Sequence, residues 1–348
     1  MNIYKMPSGD LELPDYYVRR NPNFIHFVWL IISRCNLRCP YCVGKSFREN
    51  PAATLLDKFS PVELAQKFNK ISVDHNKKIC ITFTGGEPTL CKNFTAFCNE
   101  LTNLGIYFSL QTNLVSNTAE YFTKNIANGT IFQVEAAYHH WLLDKDIKVR
   151  TLYFDNMKRL QDRGIPCVLK LVLTPEYLQN YDERISIINK NLSKNIPILH
   201  QLYIANSPKL SVKCKNAYPY AYTQTEKMHL DKILKYRRNS NFAYMNGAGF
   251  FKGMLCATGR DYGVIDILGT VLRCGTGAKC VLGNIVKDNV KMLPTLTPCS
   301  AGFCSCTQWG MWYGKDPWNY IPNVDKTKTF WNRFGKDPSL KDFELCKK

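Results

Sequence analysis

Cys35, Cys39 and Cys42 lie close together, separated by three and then by two residues. They follow the apolar run 27–32, which is typical of a buried strand, so the thiols are expected in a loop at the end of that strand. A local zinc site would need a fourth Cys or His at close range, and none occurs between Cys42 and His75. Thiolates also hold iron-sulfur clusters, usually through four cysteines. A cluster held by only three leaves one iron free to bind another molecule, while a zinc knuckle stays the alternative.

A second motif, Gly85-Gly86-Glu87-Pro88, follows the predicted strand 79–84. Adjacent glycines let a backbone approach a ligand closely. A carboxylate or carbonyl oxygen in the same turn can accept an ammonium group. Such a stretch alone predicts only a turn. Its position one strand-helix unit after the three cysteines favours a ligand-binding role.

Several other polar residues lie at or just beyond the ends of later predicted strands. Each could contact a ligand, and each could equally be a structural polar group: Thr112, Asn113, Glu135 and Lys170. The pair His139-His140 could bind substrate or move a proton, since histidine titrates near neutral pH. Capping of the following helix is the simpler interpretation of this pair.

Hydrophobic periodicity predicts strands that alternate with helices over most of the chain. The predicted strands are 27–32, 79–84, 106–110, 131–137, 167–173 and 198–204, and the predicted helices are 60–72, 94–104, 118–127, 149–163, 183–191 and 226–238. Strand-helix units in series imply a parallel sheet with right-handed crossovers. Six units fit an incomplete barrel or an open doubly wound sheet, and in a barrel the chemistry collects at the carboxyl ends of the strands.

Beyond residue 238 the alternation ends, glycine becomes frequent, and a cysteine-rich segment begins. Its cysteines are Cys256, Cys274, Cys280, Cys299, Cys304 and Cys306. The run 262–273 is typical of two short strands joined by a Leu-Gly turn. Thiols on a hairpin, with more following, can build a second closed site for a cluster or for structural zinc. The cysteines at 80, 91, 98 and 167 fall among the predicted strands and helices of the barrel, which predicts buried apolar roles.

The composition is that of a globular protein, with 45% apolar and 21% charged residues among 348. The N-terminus lacks a signal-peptide pattern, and no apolar run approaches the roughly 20 residues that span a bilayer. We therefore expect a soluble, cytoplasmic protein without a membrane partner, in which 15 cysteines indicate metal or redox chemistry rather than disulfides. The net charge of +18 is spread along the chain without a nucleic-acid module, so a basic surface is a simpler interpretation than nucleic-acid binding.

The spacing of Cys35, Cys39 and Cys42, with an aromatic residue directly before the last, resembles the signature of the radical S-adenosylmethionine (SAM) superfamily. The stretch 85–88 resembles the one that holds the methionyl amino group of SAM in that family. The resemblance implies a partial (β/α)6 TIM-like barrel, a [4Fe–4S] cluster on the three cysteines, and SAM on the open iron. It implies that Asn113 and Glu135 contact the remainder of SAM. One electron, delivered by a reductant such as flavodoxin or ferredoxin, would then yield a 5′-deoxyadenosyl radical that abstracts hydrogen from substrate.

The segment from Cys256 through Gly269 to Cys274 is similar to the opening of SPASM and Twitch domains, which carry auxiliary iron-sulfur clusters. The resemblance implies at least one auxiliary cluster, held by Cys256 and Cys274 with two of Cys299, Cys304 and Cys306. The later spacing departs from the full SPASM pattern, which favours one cluster and leaves two open. The expected organisation is an N-terminal extension over 1–26, the barrel over 27–240, the SPASM/Twitch-like domain over 241–320 and a basic tail over 321–348.

Three functions fit these features. Many enzymes with this pair of domains act on peptides, so modification of a peptide or protein side chain is the first hypothesis. The stretch before the barrel is expected to be too short for a fused leader-binding domain, which counts against this hypothesis. The second is oxidation or rearrangement of an anionic small molecule, such as a phosphorylated sugar or nucleotide, which a basic protein would attract. The third is a zinc-stabilised nucleic-acid-binding protein, which would be colourless, whereas the first two predict a brown, oxygen-sensitive protein.

Overall fold

The computed structural model describes residues 23–42, 53–192, 196–203, 221–234, 255–275 and 280–298. Its strands are β1 (Phe24–Ile32), β2 (Lys78–Gly85), β3 (Tyr107–Thr112), β4 (Ile131–Ala137), β5 (Cys167–Leu173), β6 (Ile198–Leu202), β7 (Leu255–Cys256), β8 (Tyr262–Ile265), β9 (Thr270–Leu272), β10 (Val281–Asn284) and β11 (Thr297–Pro298). Its helices are α1 (Pro61–His75), α2 (Phe94–Asn103), α3 (Asn117–Asn125), α4 (His140–Leu143), α5 (Ile147–Asp162), α6 (Pro175–Gln179), α7 (Tyr181–Asn191) and α8 (Gln224–Leu234). None of these helices is long and apolar enough to cross a membrane.

Strands β1 to β6 form a parallel sheet in which spatial order follows chain order. A doubly wound sheet reverses its strand order at a switch point, whereas a barrel does not. The consecutive order therefore confirms the predicted partial (β/α)6 barrel. Every predicted strand of the barrel is present, with ends displaced by a few residues.

The first strand begins earlier than predicted, at Phe24. The Phe24 ring packs edge-on against Tyr107 and Phe132, at centroid distances of 5.5 and 6.1 Å. Its backbone lies in register with Lys78 of β2. Residues 24–26 do not stand out as part of an apolar run because His26 interrupts it, yet this imidazole is buried, with Nε2 2.8 Å from Thr82 Oγ1.

The outer face of β1 and β2 packs on helices α1 and α2 through aromatic side chains. Trp29 is fully buried, with ring centroids 5.4 Å from Phe68, 5.8 Å from Phe83 and 5.9 Å from Phe97. Helix α1 begins as its sequence predicts, because Ser60 and Glu63 form a reciprocal capping box. The four cysteines predicted to be apolar core residues are buried, which confirms that expectation: Cys80, Cys91, Cys98 and Cys167.

The predicted C-terminal hairpin is present, and it continues the sheet of the barrel. Strand β8 pairs in parallel with β1, from His26↔Tyr262 to Trp29↔Ile265, while β9 and β10 follow in antiparallel order. The result is a nine-stranded sheet in which β1 has neighbours on both sides. The expected boundary near residue 240 lies outside the described residues, and the division into domains stays a prediction. Strands β7 and β11 form a separate two-stranded sheet.

Asp261, just before β8, connects the C-terminal segment to the barrel. Its carboxylate is 1% exposed and lies 2.5 Å from both Lys77 Nζ and Arg260 Nη2. Its carbonyl oxygen accepts a hydrogen bond from the backbone N–H of His26 at 2.9 Å. A buried carboxylate is stable only when it is paired in this way.

We expect Asp261→Asn to destabilise the protein by about 3 kcal/mol, because two cations lose the charge that neutralises them at a buried position. The measurement is the midpoint of urea unfolding followed by circular dichroism. The matched control is Asp74→Asn, which breaks the exposed Lys70–Asp74 pair and should leave the midpoint unchanged. Equal midpoints for the two variants would contradict the anchoring role of Asp261.

Candidate functional site

The three cysteines lie in the loop that leaves the carboxyl end of β1, and all three thiols are half-buried. The loop is tightly turned, because the N–H of Cys42 donates to the carbonyl of Cys39 at 3.1 Å. The backbone N–H of Leu37 points to Cys35 Sγ at 3.4 Å. The structure thus places the thiols at the end of the barrel where chemistry is expected.

The two glycines of the second motif press directly against the start of this loop. The N–H of Gly86 donates to Ile32 O at 2.7 Å, and the N–H of Glu87 donates to Arg34 O at 2.9 Å. A β-carbon on Gly86 would lie 2.1 Å from Arg34 O, and one on Gly85, whose φ is +128°, would lie 2.2 Å from Ile32 O. No side chain fits there. The glycines are therefore required by the chain's own backbone, which sequence reasoning missed.

Glu87 is buried and its carboxylate is engaged within the chain. It accepts hydrogen bonds from Thr89 N and Oγ1 at 3.2 and 2.7 Å, from Thr112 Oγ1 at 2.7 Å and from Asn113 N at 2.7 Å. Burial raises the pKa of this carboxyl, and the four hydrogen bonds oppose that rise. This carboxylate therefore fastens the end of β2 to the end of β3, and the predicted contact of residues 85–88 with a ligand's ammonium group stays a prediction.

Asn113, at the end of β3, contacts the cysteine loop. Its Nδ2 donates to Asn36 Oδ1 at 2.8 Å and lies 3.9 Å from Cys35 Sγ. Its Oδ1 accepts the N–H of Val115 at 3.0 Å, which orients the amide. The structure therefore brings two sequence-predicted residues, Asn113 and Cys35, to one place.

Glu135 lies in a row of polar side chains that crosses the sheet from β2 to β5. Its Oε2 accepts from Gln111 Nε2 at 3.1 Å and lies 3.7 Å from Lys170 Nζ, while its Oε1 accepts from Gln133 Nε2 at 3.0 Å. Gln111 is held in turn by the hydroxyl of Thr84 at 2.9 Å. The buried carboxylate is thereby fixed in position and neutralised by one ammonium group.

His139 and His140 follow β4 and pack against the cysteine loop. The predicted capping role is wrong, because His139 occupies the N-cap position of α4 but its side chain makes no cap bond. Its Nδ1 lies 2.8 Å from Tyr41 Oη and 3.5 Å from Cys39 Sγ. The Tyr41 ring stacks on both imidazoles, with interplanar angles of 23° and 17°. This contact was missed because nothing in the sequence pairs residue 139 with residue 39.

Both imidazoles are neutral near pH 7. Burial, together with the neighbouring His140 and Lys170, lowers the pKa of His139 to about 4. Burial and the nearby Arg184 lower the pKa of His140 to about 4. Burial also raises the pKa of the Tyr41 hydroxyl, which therefore keeps its proton.

The described C-terminal cysteines lie on β7 and at the open end of the β9–β10 hairpin. Cys256 is buried, whereas Cys274 and Cys280 are half-buried. Arg273 connects the two regions, because its guanidinium donates to Thr258 O at 3.1 Å and to the carbonyls of residues 297 and 298 at 2.9 and 3.0 Å. The other predicted ligands lie outside the described residues: Cys299, Cys304 and Cys306.

The donor set at the end of β1 fits an iron-sulfur cluster. Within the described ranges, no three His, Cys, Asp or Glu side chains stand close enough together to hold a single metal ion. A cluster makes a different demand, because each thiolate binds a different iron atom. Three half-buried thiols in one loop, with the backbone N–H of Leu37 near one of the sulfurs, meet that demand.

Comparisons with known proteins find local similarities in sequence and a similarity of fold. A segment of 75 residues is 40% identical to the mitochondrial GTP 3′,8-cyclase of Arabidopsis thaliana, covering 21% of this chain and 18% of that protein. A segment of 118 residues is 26% identical to the PqqA peptide cyclase of Bradyrhizobium diazoefficiens, covering 31% of this chain and 27% of that protein. The chain therefore matches less than a third of the length of either relative.

The fold is similar to that of a solved structure, a histidine-tagged form of anSMEcpe with bound AdoMet, with a TM-score of 0.51 and 17% sequence identity. The superposition covers 77% of this chain and 80% of that one. The family described as the Radical SAM superfamily matches residues 29–189, from within β1 into α7. The matched segment contains the three-thiol loop and the Gly-Gly stretch, and it makes up a little under half of the chain.

Proposed function

We propose that the chain is a radical SAM enzyme in which Cys35, Cys39 and Cys42 hold a [4Fe–4S] cluster. The observation that carries the proposal is the half-buried three-thiol loop at the carboxyl end of β1, within the segment that matches that superfamily. When bound, the cluster and SAM supply a 5′-deoxyadenosyl radical that removes a hydrogen atom from an unactivated carbon of the substrate. An external one-electron reductant, of the flavodoxin or ferredoxin kind, is the expected partner.

The chain's own residues hold the cysteine loop in place and orient SAM. Gly85 and Gly86 let the end of β2 pack directly against the start of the cysteine loop, and the Glu87 carboxylate connects β2 to β3. Asn113 and Glu135 are assigned to the ribose and carboxylate of SAM, because both lie toward the carboxyl ends of their strands and both are already oriented by hydrogen bonds, Asn113 against the cysteine loop and Glu135 within the polar row of the sheet. Such preoriented polar groups bind a ligand without first having to be ordered.

For the substrate we propose a peptide or protein side chain. Charged side chains at the described carboxyl ends of β2 to β5 support this choice. Glu87 is buried there, and Lys170 is paired with Glu135, so these strand ends present no excess of positive charge to a polyphosphate. The relative that acts on the peptide PqqA, as its name states, points the same way.

The second candidate is an anionic small molecule. The net charge of +18 and the similarity to GTP 3′,8-cyclases favour it. In this case the cations that bind the anion would come from elements other than the described ends of β2 to β5.

We further propose one auxiliary iron-sulfur cluster in the C-terminal segment, on Cys256, Cys274 and two of Cys299, Cys304 and Cys306. Support comes from Arg273, the residue directly before Cys274, which ties the hairpin to the two-stranded sheet that contains Cys256. Cys280 is an additional candidate, because its carbonyl accepts the N–H of Arg273 at 2.9 Å across the same hairpin end.

Anaerobically reconstituted and reduced protein is expected to convert SAM to 5′-deoxyadenosine, and Cys42→Ala is expected to abolish this conversion, because a lost thiolate leaves the cluster without its third protein ligand. Chromatography of the nucleoside provides the measurement. The matched control is Cys98→Ala, which changes a buried thiol of α2 and should retain the activity. A fully iron-loaded wild type that forms no 5′-deoxyadenosine would refute the assignment.

Adding GTP to the same assay should leave the GTP unconsumed, and its consumption would favour the second candidate.

Gly86→Ala is expected to lower the iron content severalfold, because its β-carbon would collide with the carbonyl of Arg34 at the root of the loop. Iron per chain and the unfolding midpoint are measured together. The control is Gly105→Ala, where φ is +68° but no atom lies within 4 Å of the new β-carbon. That variant should cost about 1 kcal/mol of stability and keep its iron. Equal iron loss in both variants would mean that general destabilisation, rather than the contact with Arg34, empties the site.

The auxiliary site is tested by replacing Cys35, Cys39 and Cys42 together with alanine and counting the iron that remains. We expect about four irons per chain, held by the C-terminal cysteines. About eight would indicate two auxiliary clusters, and none would remove the auxiliary site from the proposal. Adding Cys274→Ala to the triple variant should remove the remaining iron.

A further inference from the structure

We infer that Asn36 is a positioning residue, which fixes the side-chain amide of Asn113 so that the amide oxygen accepts a hydrogen bond from a ribose hydroxyl of SAM. The inference rests on the proposed function, since it needs SAM beside the cysteine loop. Asn36 thus connects the loop of the cluster to a residue that binds SAM, and Asn113 contacts the ribose rather than the carboxylate.

The orientation of the Asn113 amide is set by two neighbours. The backbone N–H of Val115 donates to Asn113 Oδ1 at 3.0 Å. Because a backbone N–H can only donate, the atom that faces Val115 is the oxygen, and the other end of the amide is Nδ2. Nδ2 donates to Asn36 Oδ1 at 2.8 Å, a normal hydrogen-bond distance. Both ends of the amide are therefore held, one by its own turn and the other by the cysteine loop.

The backbone around Asn113 is held without help from the loop. The N–H of Asn113 donates to Glu87 Oε2 at 2.7 Å. Leu114, the next residue, has a φ of +54°, in the left-handed region that residues other than glycine rarely adopt. Its carbonyl accepts a hydrogen bond from Asn156 Nδ2 at 3.0 Å, which helps to keep this strained turn in place. Removal of the Asn36 amide should therefore free the side chain of Asn113 and leave its backbone unchanged.

The hydrogen-bonding capacity that remains on the Asn113 amide selects its partner on SAM. Nδ2 is directed at the loop, since it lies 2.8 Å from Asn36 Oδ1 and 3.9 Å from Cys35 Sγ. Oδ1 has two lone pairs, and the N–H of Val115 uses one of them. A ligand group that meets the free lone pair must donate a hydrogen. The ribose hydroxyls of SAM can donate, whereas its carboxylate can only accept, so Asn113 fits the ribose.

The position of Asn36 in the chain makes it dependent on the loop. It follows Cys35 directly, and its side chain is exposed, whereas that of Asn113 is buried. Substitution of an exposed side chain should leave the core of the barrel intact. An amide that is oriented in advance binds its ligand without an ordering cost, and loss of the Asn36 contact restores that cost.

The test is equilibrium dialysis of radiolabelled SAM against the reconstituted, oxidised full-length protein, in which SAM binds but is not cleaved. The variants are Asn36→Ala, Asn113→Ala, the double variant and Asn36→Asp, which retains an acceptor oxygen for the Asn113 amide. The matched control is Asn99→Ala, because the Asn99 amide also makes two hydrogen bonds, to Asn125 O at 3.2 Å and from Ala127 N at 2.8 Å, away from the loop.

We expect the dissociation constant for SAM to rise about fivefold in Asn36→Ala and about tenfold in Asn113→Ala, within the range for one lost hydrogen bond. The double variant should bind like Asn113→Ala alone, because Asn36 acts through Asn113, whereas independent contributions would multiply to about fiftyfold. Asn36→Asp and Asn99→Ala should bind like the wild type. Wild-type affinity in either single alanine variant, or a multiplied loss in the double variant, would overturn the inference.

Two SAM analogues identify the group that Asn113 contacts, one without the ribose 2′-hydroxyl and one without the 3′-hydroxyl. The analogue that lacks the contacted hydroxyl should bind the wild type and Asn113→Ala equally well. If Asn113→Ala weakens both analogues as much as it weakens SAM, the amide does not accept from the ribose and the inference fails.

Iron content, measured on the same samples, separates positioning of SAM from folding of the loop. We expect Asn36→Ala and Asn36→Asp to keep the iron of the wild type, since the thiols are unchanged. Equal iron loss in both variants would contradict the inference, because Asn36 would then be needed for the loop itself. An iron-loaded wild type that binds no SAM would instead defeat the proposed function, so the two failures are distinguishable.

Discussion

The contact on which the site depends is the one between two backbones, where Gly86 meets the carbonyls at the end of β1. Hydrogen bonds of 2.7 and 2.9 Å run from residues 86 and 87 to Ile32 and Arg34, at a distance that excludes any β-carbon. Backbone atoms have far fewer ways to rearrange than side chains do. The root of the cysteine loop is therefore placed by the sheet itself, and the thiols begin from a rigid support.

From this support the ends of successive strands close around the loop. Glu87 connects β2 to β3, Asn113 reaches the loop from β3, and His139 reaches it from β4. Each connection is buried or half-buried, so water competes little for these hydrogen bonds. The carboxyl edge of the barrel is thus one connected set of polar contacts that includes the cysteine loop.

The parts that sequence reasoning predicted are those with a local pattern. The alternation of strands and helices predicted the barrel, and the cysteine spacing placed three thiols at the end of β1. The missed parts depend on pairs of residues far apart in the chain. The Gly-Gly stretch predicts a close approach to a ligand, and the structure adds a close approach to Ile32 and Arg34, which periodicity does not predict because it does not reveal which loop crosses a turn. The sequence predicts a cap at His139, since its contact with Cys39 arises only when β4 and β1 lie in one barrel.

The pairing of β8 with β1 has a consequence for biosynthesis. Trp29 on β1 donates its indole N–H to the carbonyl of Asp266, 237 positions later in the chain. At a synthesis rate of about 5–20 residues per second, the ribosome needs on the order of ten seconds or more to make the residues between them. During that time β1 has an open edge on the side that β8 will occupy. The strand that bears the three thiols therefore obtains its second neighbour only late in translation, well after the cysteine loop itself has emerged.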